Sequence, residues 1–215
     1  MDEIDPNEPK PKKKGCFGCS WWIVILSGCA VVAVTVPVLS IIAAIAIPNL
    51  LRSRLAANET AAVAACKAYC LAQDIYRRTD YNKDGVLEYA QALHGDNSLY
   101  ETKAGMSDIN LIDKTFANAE GNPGTATPKA GYMFKILTRR GSHAQGGVKD
   151  YVESGHMVHG YALMAYPSKY DATGRNTFLV SDNGTIYQKD LGAETHAIVE
   201  RMTEFDPDYT WIITE

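Results

Sequence analysis

The chain has 215 residues and a formal net charge of −4, and its basic residues are scattered outside one cluster at residues 10–14. Nucleic-acid binding needs a concentrated basic face, so this charge pattern argues against nucleic acid as a partner. The residues that follow an apolar N-terminal segment suffice for one cored domain and are too few for two. Five cysteines do not make a disulfide framework in a chain of this size.

The first predicted element is a membrane-spanning helix. No charged residue occurs from residue 15 to residue 51, whereas a helix needs about 20 apolar residues to cross a bilayer. We therefore predict a polar, basic tail over residues 1–15 and a transmembrane helix over residues 16–51. Because positively charged flanks stay in the cytoplasm, the tail is expected inside and the domain after residue 51 outside the membrane.

A helix is predicted next, over residues 52–78, because alanines dominate it and neither Gly nor Pro interrupts it. Its apolar face contains Cys66 and Cys70, which we interpret as small buried residues facing a sheet rather than as a disulfide. A break follows at residues 80–85, with short helices expected from about Glu88 and over residues 109–119. These elements form the helical half of the exported domain, residues 52–129.

The second half, residues 130–215, turns to strands. We predict four strands, at residues 132–137, 160–166, 176–180 and 185–189. A helix over residues 193–202 and a last strand near residues 210–213 are predicted to follow. Asn183-Gly184 lies between the last two and predicts a tight hairpin. In the strand at 132–137, every second residue is expected to face the core. The fold class is therefore α+β, with a long N-terminal helix on an antiparallel sheet.

The segment at residues 39–58, in particular Ala-Ile-Pro-Asn-Leu-Leu at 46–51, resembles the N-terminal helix of type IV pilins and type II secretion pseudopilins. That resemblance implies a pilin-like globular domain, a bacterial inner-membrane location with the C-terminal domain in the periplasm or outside the cell, and pilin or secretion-system proteins as partners. Two residues of the family pattern are absent. The processing glycine should fall near Leu26 and the assembly glutamate near Val31.

Two alternatives concern the same membrane segment. A permanent anchor requires no processing at all. Residues 26–29, Leu-Ser-Gly-Cys, resemble the lipobox of bacterial lipoproteins and would make Cys29 a lipidated N-terminus, although the apolar sequence continues without a break beyond it.

Four blocks in the second half carry another resemblance. Residues 131–138, 146–151, 161–167 and 185–192 look like a family of exported bacterial proteins known as domain of unknown function 2950. The resemblance covers about residues 130–211 and brings no catalytic residues with it.

The strongest candidate site is a possible calcium loop after the long helix. Its predicted ligands follow the first nine positions of such a loop, with Gly85 at the sharp turn; they are Asp80, Asn82, Asp84, Val86 (by its carbonyl) and Glu88. The twelfth position is Gln91 instead of the usual glutamate, which predicts weak affinity. The alternative is a polar turn in which the side chains accept hydrogen bonds from backbone amides.

Other polar motifs point away from catalysis. His156 and His159 are three residues apart on a predicted strand, so their side chains point to opposite faces and are not expected to share a metal ion. Ser142-His143 lacks the carboxylate and the structural frame that activate a serine.

We therefore expect a non-enzymatic, single-pass, pilin-like or pseudopilin-like membrane protein with an exported structural or interaction domain. The alternative is a membrane-tethered binding module that does not enter a filament and uses calcium as its only possible cofactor. An exported enzyme is the third class considered, since carboxylates are numerous.

Overall fold

The computed structural model describes residues 17–81, 83–101, 109–121 and 124–214, with side chains from residue 40 onward. The predicted tail at residues 1–15 and the predicted ligand Asn82 lie outside the described residues. The chain divides into two compact units, Met1–Asn49 and Leu50–Glu215. The second unit contains every site discussed below.

Helix α1 (Phe17–Arg77) is 61 residues long. From Ser40 to Arg77 it is the one helix, within the described part of the chain, that is long and apolar enough to cross a membrane by length and composition. In the second unit it buries one face, on which small residues alternate with tyrosines; these are Ala62, Ala65, Cys66, Tyr69, Ala72 and Tyr76. Small side chains allow the helix backbone to approach the domain closely.

A small three-stranded sheet and a short helix follow α1. The sheet contains β1 (Ala92–His94), β2 (Ser98–Glu101) and β3 (Ile109–Asn110), and the helix is α2 (Lys114–Ala117). The short helix predicted from about Glu88 is wrong, because β1 pairs with β2 in parallel. The helix predicted over residues 109–119 is reduced to α2. Asp113 caps the first turn of α2, because Asp113 Oδ1 accepts a hydrogen bond from Phe116 N at 3.0 Å.

The remaining strands alternate with turns until the chain ends. They are β4 (Tyr132–Leu137), β5 (Arg139–Arg140), β6 (Lys149–Asp150), β7 (Val152–Glu153), β8 (His156–Met157), β9 (Ala162–Pro167), β10 (Asn176–Ser181), β11 (Ile186–Asp190) and β12 (Ile212–Ile213). A 3-10 helix (Gly192–Glu194) and α3 (Thr195–Arg201) lie between β11 and β12. Strands β5 and β6 pair with each other, and β7 pairs with β8.

The main sheet has five strands in the order β12-β11-β10-β9-β4, and all neighbours are antiparallel. The predicted hairpin is confirmed, because Val180 pairs with Ile186 and Gly184 N donates to Ser181 O at 2.9 Å. Gly184 has φ +73°, a conformation that few residues other than glycine adopt without strain. The predicted α+β class with an antiparallel sheet is therefore confirmed.

The core lies between α1 and this sheet and continues on the other side of it. Tyr69 of α1 meets Tyr161 edge to face at 5.5 Å between ring centroids, and Cys70 Sγ lies 4.0 Å from Ser181 O. All six residues of β9 are buried, so both faces of the sheet are covered there. The one-sided burial predicted for β4 is accordingly wrong, since Tyr132, Met133 and Phe134 are all buried. Cys66 is buried and Cys70 is half-buried, and both carry free thiols.

Candidate functional site

The turn after α1 is organised by its own carboxylates. Asp80 accepts hydrogen bonds from Asp84 N at 3.2 Å and from Gly85 N at 2.9 Å, and Asp84 Oδ1 accepts one from Val86 N at 2.8 Å. Lys83 and Gly85 both have positive φ, at 60° and 85°, which reverses the chain tightly. These contacts are those of the predicted polar turn, in which side-chain oxygens satisfy backbone amides.

A histidine from a distant hairpin completes the site. Strands β7 and β8 form this hairpin and bring His156 to the turn, where its Nδ1 lies 3.2 Å from Glu88 Oε2 and 3.7 Å from Asp84 Oδ2. One ligand atom from each of the three residues lies within 4.8 Å of the others. The side chain of Glu88 is only 4% exposed, whereas those of Asp84 and His156 are about one-third exposed (34% and 33%).

Backbone contacts hold the turn and the hairpin together. Tyr89 N donates to Met157 O at 2.7 Å, directly beside both Glu88 and His156 in sequence. Gln91, at the twelfth position of the predicted calcium loop, donates its side-chain amide to Gly155 O at 2.6 Å. Gln91 therefore serves as a connection to the hairpin tip. The three-residue cluster is fixed by its surroundings on both sides.

The composition of the cluster decides which ions it suits. Two carboxylates and one imidazole make a mixed oxygen and nitrogen set, which suits Zn²⁺, Mn²⁺ and similar metals. Calcium sites use oxygen ligands almost exclusively. Among the described residues, those whose side chains could hold a metal ion together are Asp84, Glu88 and His156. Without a metal, the same contacts form an ion pair when the imidazole is protonated.

The sequence prediction identified part of this cluster. Asp84 and Glu88 are brought together, while both side-chain oxygens of Asp80 accept backbone amides. His156 was missed because it is 68 residues from Glu88 in sequence, so no local spacing connects the two. His159 lies outside the cluster, and its Nε2 contacts Glu153 Oε2 at 2.7 Å.

The sequence matches the family described as protein of unknown function (DUF2950) over residues 43–213. The chain therefore belongs to that family, which confirms the resemblance seen in its second half. No curated protein matches the chain, and no solved structure does. The resemblance of residues 39–58 to pilins stays a prediction. Since the family carries no assigned activity, the functional argument rests on the geometry of the site.

Proposed function

We propose that this protein is a single-pass membrane-anchored binding module that holds a divalent cation between the turn at residues 80–86 and the β7–β8 hairpin. The observation that carries the proposal is the meeting of Asp84, Glu88 and His156, with ligand atoms within 4.8 Å of one another. The cation is taken to have a structural or regulatory role, and the protein is taken to be non-enzymatic.

The location follows from the N-terminal sequence and helix. The apolar segment of α1 supports a membrane anchor, and the basic cluster at residues 10–14 supports a cytoplasmic N-terminus. The domain from residue 52 onward is then exported, in the periplasm or outside a bacterial cell. Metal ions reach such a compartment without passing the cytoplasmic metal buffers.

Charge and burial support the cation. The side chain of Glu88 is only 4% exposed, and a divalent cation would balance the charges of the Glu88 and Asp84 carboxylates together. The cation would also connect two segments that are far apart in sequence. Binding to the folded domain alone raises its stability by mass action.

The test is a thermal titration of the full-length protein in detergent after removal of metals with EDTA. Zn²⁺, Mn²⁺ and Ca²⁺ are added separately and unfolding is followed by circular dichroism. At a free metal concentration of about 100 times Kd, linkage predicts about 2.7 kcal/mol of stabilisation. For a domain of this size that corresponds to a rise in Tm of roughly 5–10 °C.

Three variants make the titration specific. His156→Gln and Glu88→Gln should remove the metal-dependent rise in Tm, because each removes a ligand. His159→Gln is the matched control and should retain it, since His159 contacts Glu153 outside the cluster. The absence of any metal-dependent rise, or an equal rise in His156→Gln, contradicts the proposal.

A second candidate function is a pilin-like or pseudopilin-like subunit in a pilus or secretion system. It is favoured by the packing of the C-terminal part of α1 on an antiparallel sheet, as in the Tyr69–Tyr161 contact. The test is the mature N-terminus of the native membrane protein, determined by intact mass. A start between residues 20 and 30 with a methylated residue supports assembly, and a lipidated Cys29 supports the lipoprotein alternative. A chain beginning near Met1 contradicts both.

A further inference from the structure

A second polar site lies away from the metal cluster, where the β10–β11 hairpin meets the segment after β5. It is a cleft of about 240 Å³, and it shares no residue with the cluster around His156. Five of its six lining residues are of polar type; the six are Arg140, Gln145, Ser181, Asp182, Asn183 and Phe205.

One wall of the cleft is held by hydrogen bonds to Asp206. Asp206 accepts hydrogen bonds from His143 N at 2.6 Å and from Ala144 N at 3.2 Å, and its second oxygen contacts His143 Nδ1 at 2.7 Å. Gly141 packs against Asp206 so closely that an added Cβ would lie 2.3 Å from Asp206 Cγ. The segment from residue 141 to residue 147 is therefore fixed in place before any ligand arrives.

The arginine of the cleft is held by the same segment. Arg140 donates from Nε to Gly147 O at 2.9 Å and from Nη2 to Gly146 O at 3.2 Å. Carbonyl groups orient the guanidinium in this way without neutralising its charge. Among the residues the structure describes, neither Arg140 nor Asp182 forms an ion pair. The cleft thus presents one cation and one anion that are not paired with each other.

A buried hydroxyl without a partner lies beside these two charges. Tyr151 is fully buried, and its hydroxyl has no hydrogen-bond partner in the described structure. An added Cβ on Gly160 would lie 2.8 Å from the Tyr151 ring and 2.9 Å from Asp182 Oδ2. The Tyr151 ring and the Asp182 carboxylate therefore both pack against this glycine. Burial raises the pKa of Tyr151 to about 12; the negative charge of Asp182 raises it further and the positive charge of Arg140 lowers it.

The charges of Asp182 and Arg140 therefore both influence the pKa of the Tyr151 hydroxyl, in opposite directions. An unpartnered buried hydroxyl costs folding free energy and is uncommon in native proteins.

We propose that this cleft binds a small zwitterion, a free amino acid or a dipeptide, with its carboxylate at Arg140 and its ammonium group at Asp182. A phosphate would place its charge beside Asp182, and an uncharged sugar would desolvate both Arg140 and Asp182 without compensating either. The volume suits a ligand smaller than the drug-sized molecules that fill pockets of about 300–1,000 Å³.

The experiment uses the full-length protein in detergent and a panel of L-amino acids and dipeptides, with their N-acetyl amides as uncharged controls. Binding is measured by saturation-transfer NMR and confirmed by thermal shift. We expect the zwitterions to bind, and each N-acetyl amide to bind at least about tenfold more weakly because both charge contacts are lost. Arg140→Gln and Asp182→Asn should each weaken zwitterion binding by about tenfold or more.

Tyr151→Phe is the control for the buried tyrosine beside the cleft. Without ligand, this variant should be as stable as the wild type or more stable, because the hydroxyl has no partner to lose. With ligand, its affinity should stay close to that of the wild type, because Tyr151 is not among the residues that line the cleft. His156→Gln, in the metal cluster, should leave zwitterion binding unchanged, which separates this proposal from the proposed function. Failure of every zwitterion to bind, or equal binding of the N-acetyl amides, overturns the proposal.

Discussion

Gln73 connects the long helix to the candidate metal site through three buried hydrogen bonds. Its side-chain Nε2 donates to Ala90 O and to Tyr69 Oη, both at 2.8 Å, and its Oε1 accepts from Ala90 N at 2.8 Å. Gln73 and Ala90 are both fully buried. Because Ala90 lies two residues after Glu88, this double contact fixes the segment that carries the buried carboxylate.

Gln73→Leu keeps a similar side-chain volume and removes all three hydrogen bonds. The N–H and the C=O of Ala90 are then buried without partners, and each costs about 1–3 kcal/mol. The additional apolar surface of leucine returns about 1 kcal/mol. The expected net loss in the free energy of unfolding is therefore about 3 kcal/mol, which corresponds to a fall in Tm of roughly 6–12 °C for a domain of this size.

The assay is urea unfolding of the full-length protein in detergent, followed by pulse proteolysis, with the thermal midpoint measured in parallel. Gln73→Glu should lose at least about as much as Gln73→Leu, because it retains the oxygen that accepts Ala90 N–H but places a second carboxylate oxygen against Ala90 O at a fully buried position. The exposed neighbouring residue provides the control, and Asp74→Asn should stay within about 0.5 kcal/mol of the wild type. A loss below about 1 kcal/mol in Gln73→Leu would refute the reasoning.

Three further predictions concern single contacts. The contact with Asp206 raises the pKa of His143, so its stabilisation is complete below the ordinary histidine pKa of about 6.5 and disappears as pH rises through the raised value. The difference in Tm between the wild type and His143→Phe should accordingly be larger at pH 5.5 than at pH 9, and a difference independent of pH contradicts this. Gly174→Ala should cost about 1–3 kcal/mol in urea unfolding, because the new Cβ would lie 2.2 Å from Tyr132 Oη; an unchanged midpoint contradicts the steric argument. Lys135 Nζ donates to three carbonyls at the C-terminal end of α3, at 2.8, 3.0 and 3.2 Å. Lys135→Met should therefore lower the free energy of unfolding by about 1–2 kcal/mol in urea unfolding. An unchanged midpoint would show that water replaces the ammonium group there.

Several elements could be predicted from the sequence because short-range patterns specify them. The alanine-rich helix, the strand at residues 132–137 and the Asn183-Gly184 hairpin each depend on propensity or turn chemistry within a few residues. The family resemblance in the second half was also confirmed, because it depends on blocks of sequence and not on contacts between distant segments.

Other features depend on contacts between segments that are distant in sequence. The helix expected after Glu88 is replaced by β1, since the pairing with β2 outweighs a weak local preference. His156 joins Glu88 only because the β7–β8 hairpin folds back onto the turn, and the bridge between Tyr89 and Met157 fixes that approach.

The cleft that contains Arg140 and Asp182 also depends on contacts between segments that are distant in sequence. Neither residue belongs to a motif, and both are ordinary charged residues when the sequence is read alone. Local sequence determined the polarity of the chain, its apolar N-terminal segment, its long helix and its hairpin, because each depends on neighbours within one element. The tertiary structure decided the cluster of Asp84, Glu88 and His156, the cleft and the unpartnered Tyr151 hydroxyl, because each exists only where separate elements meet.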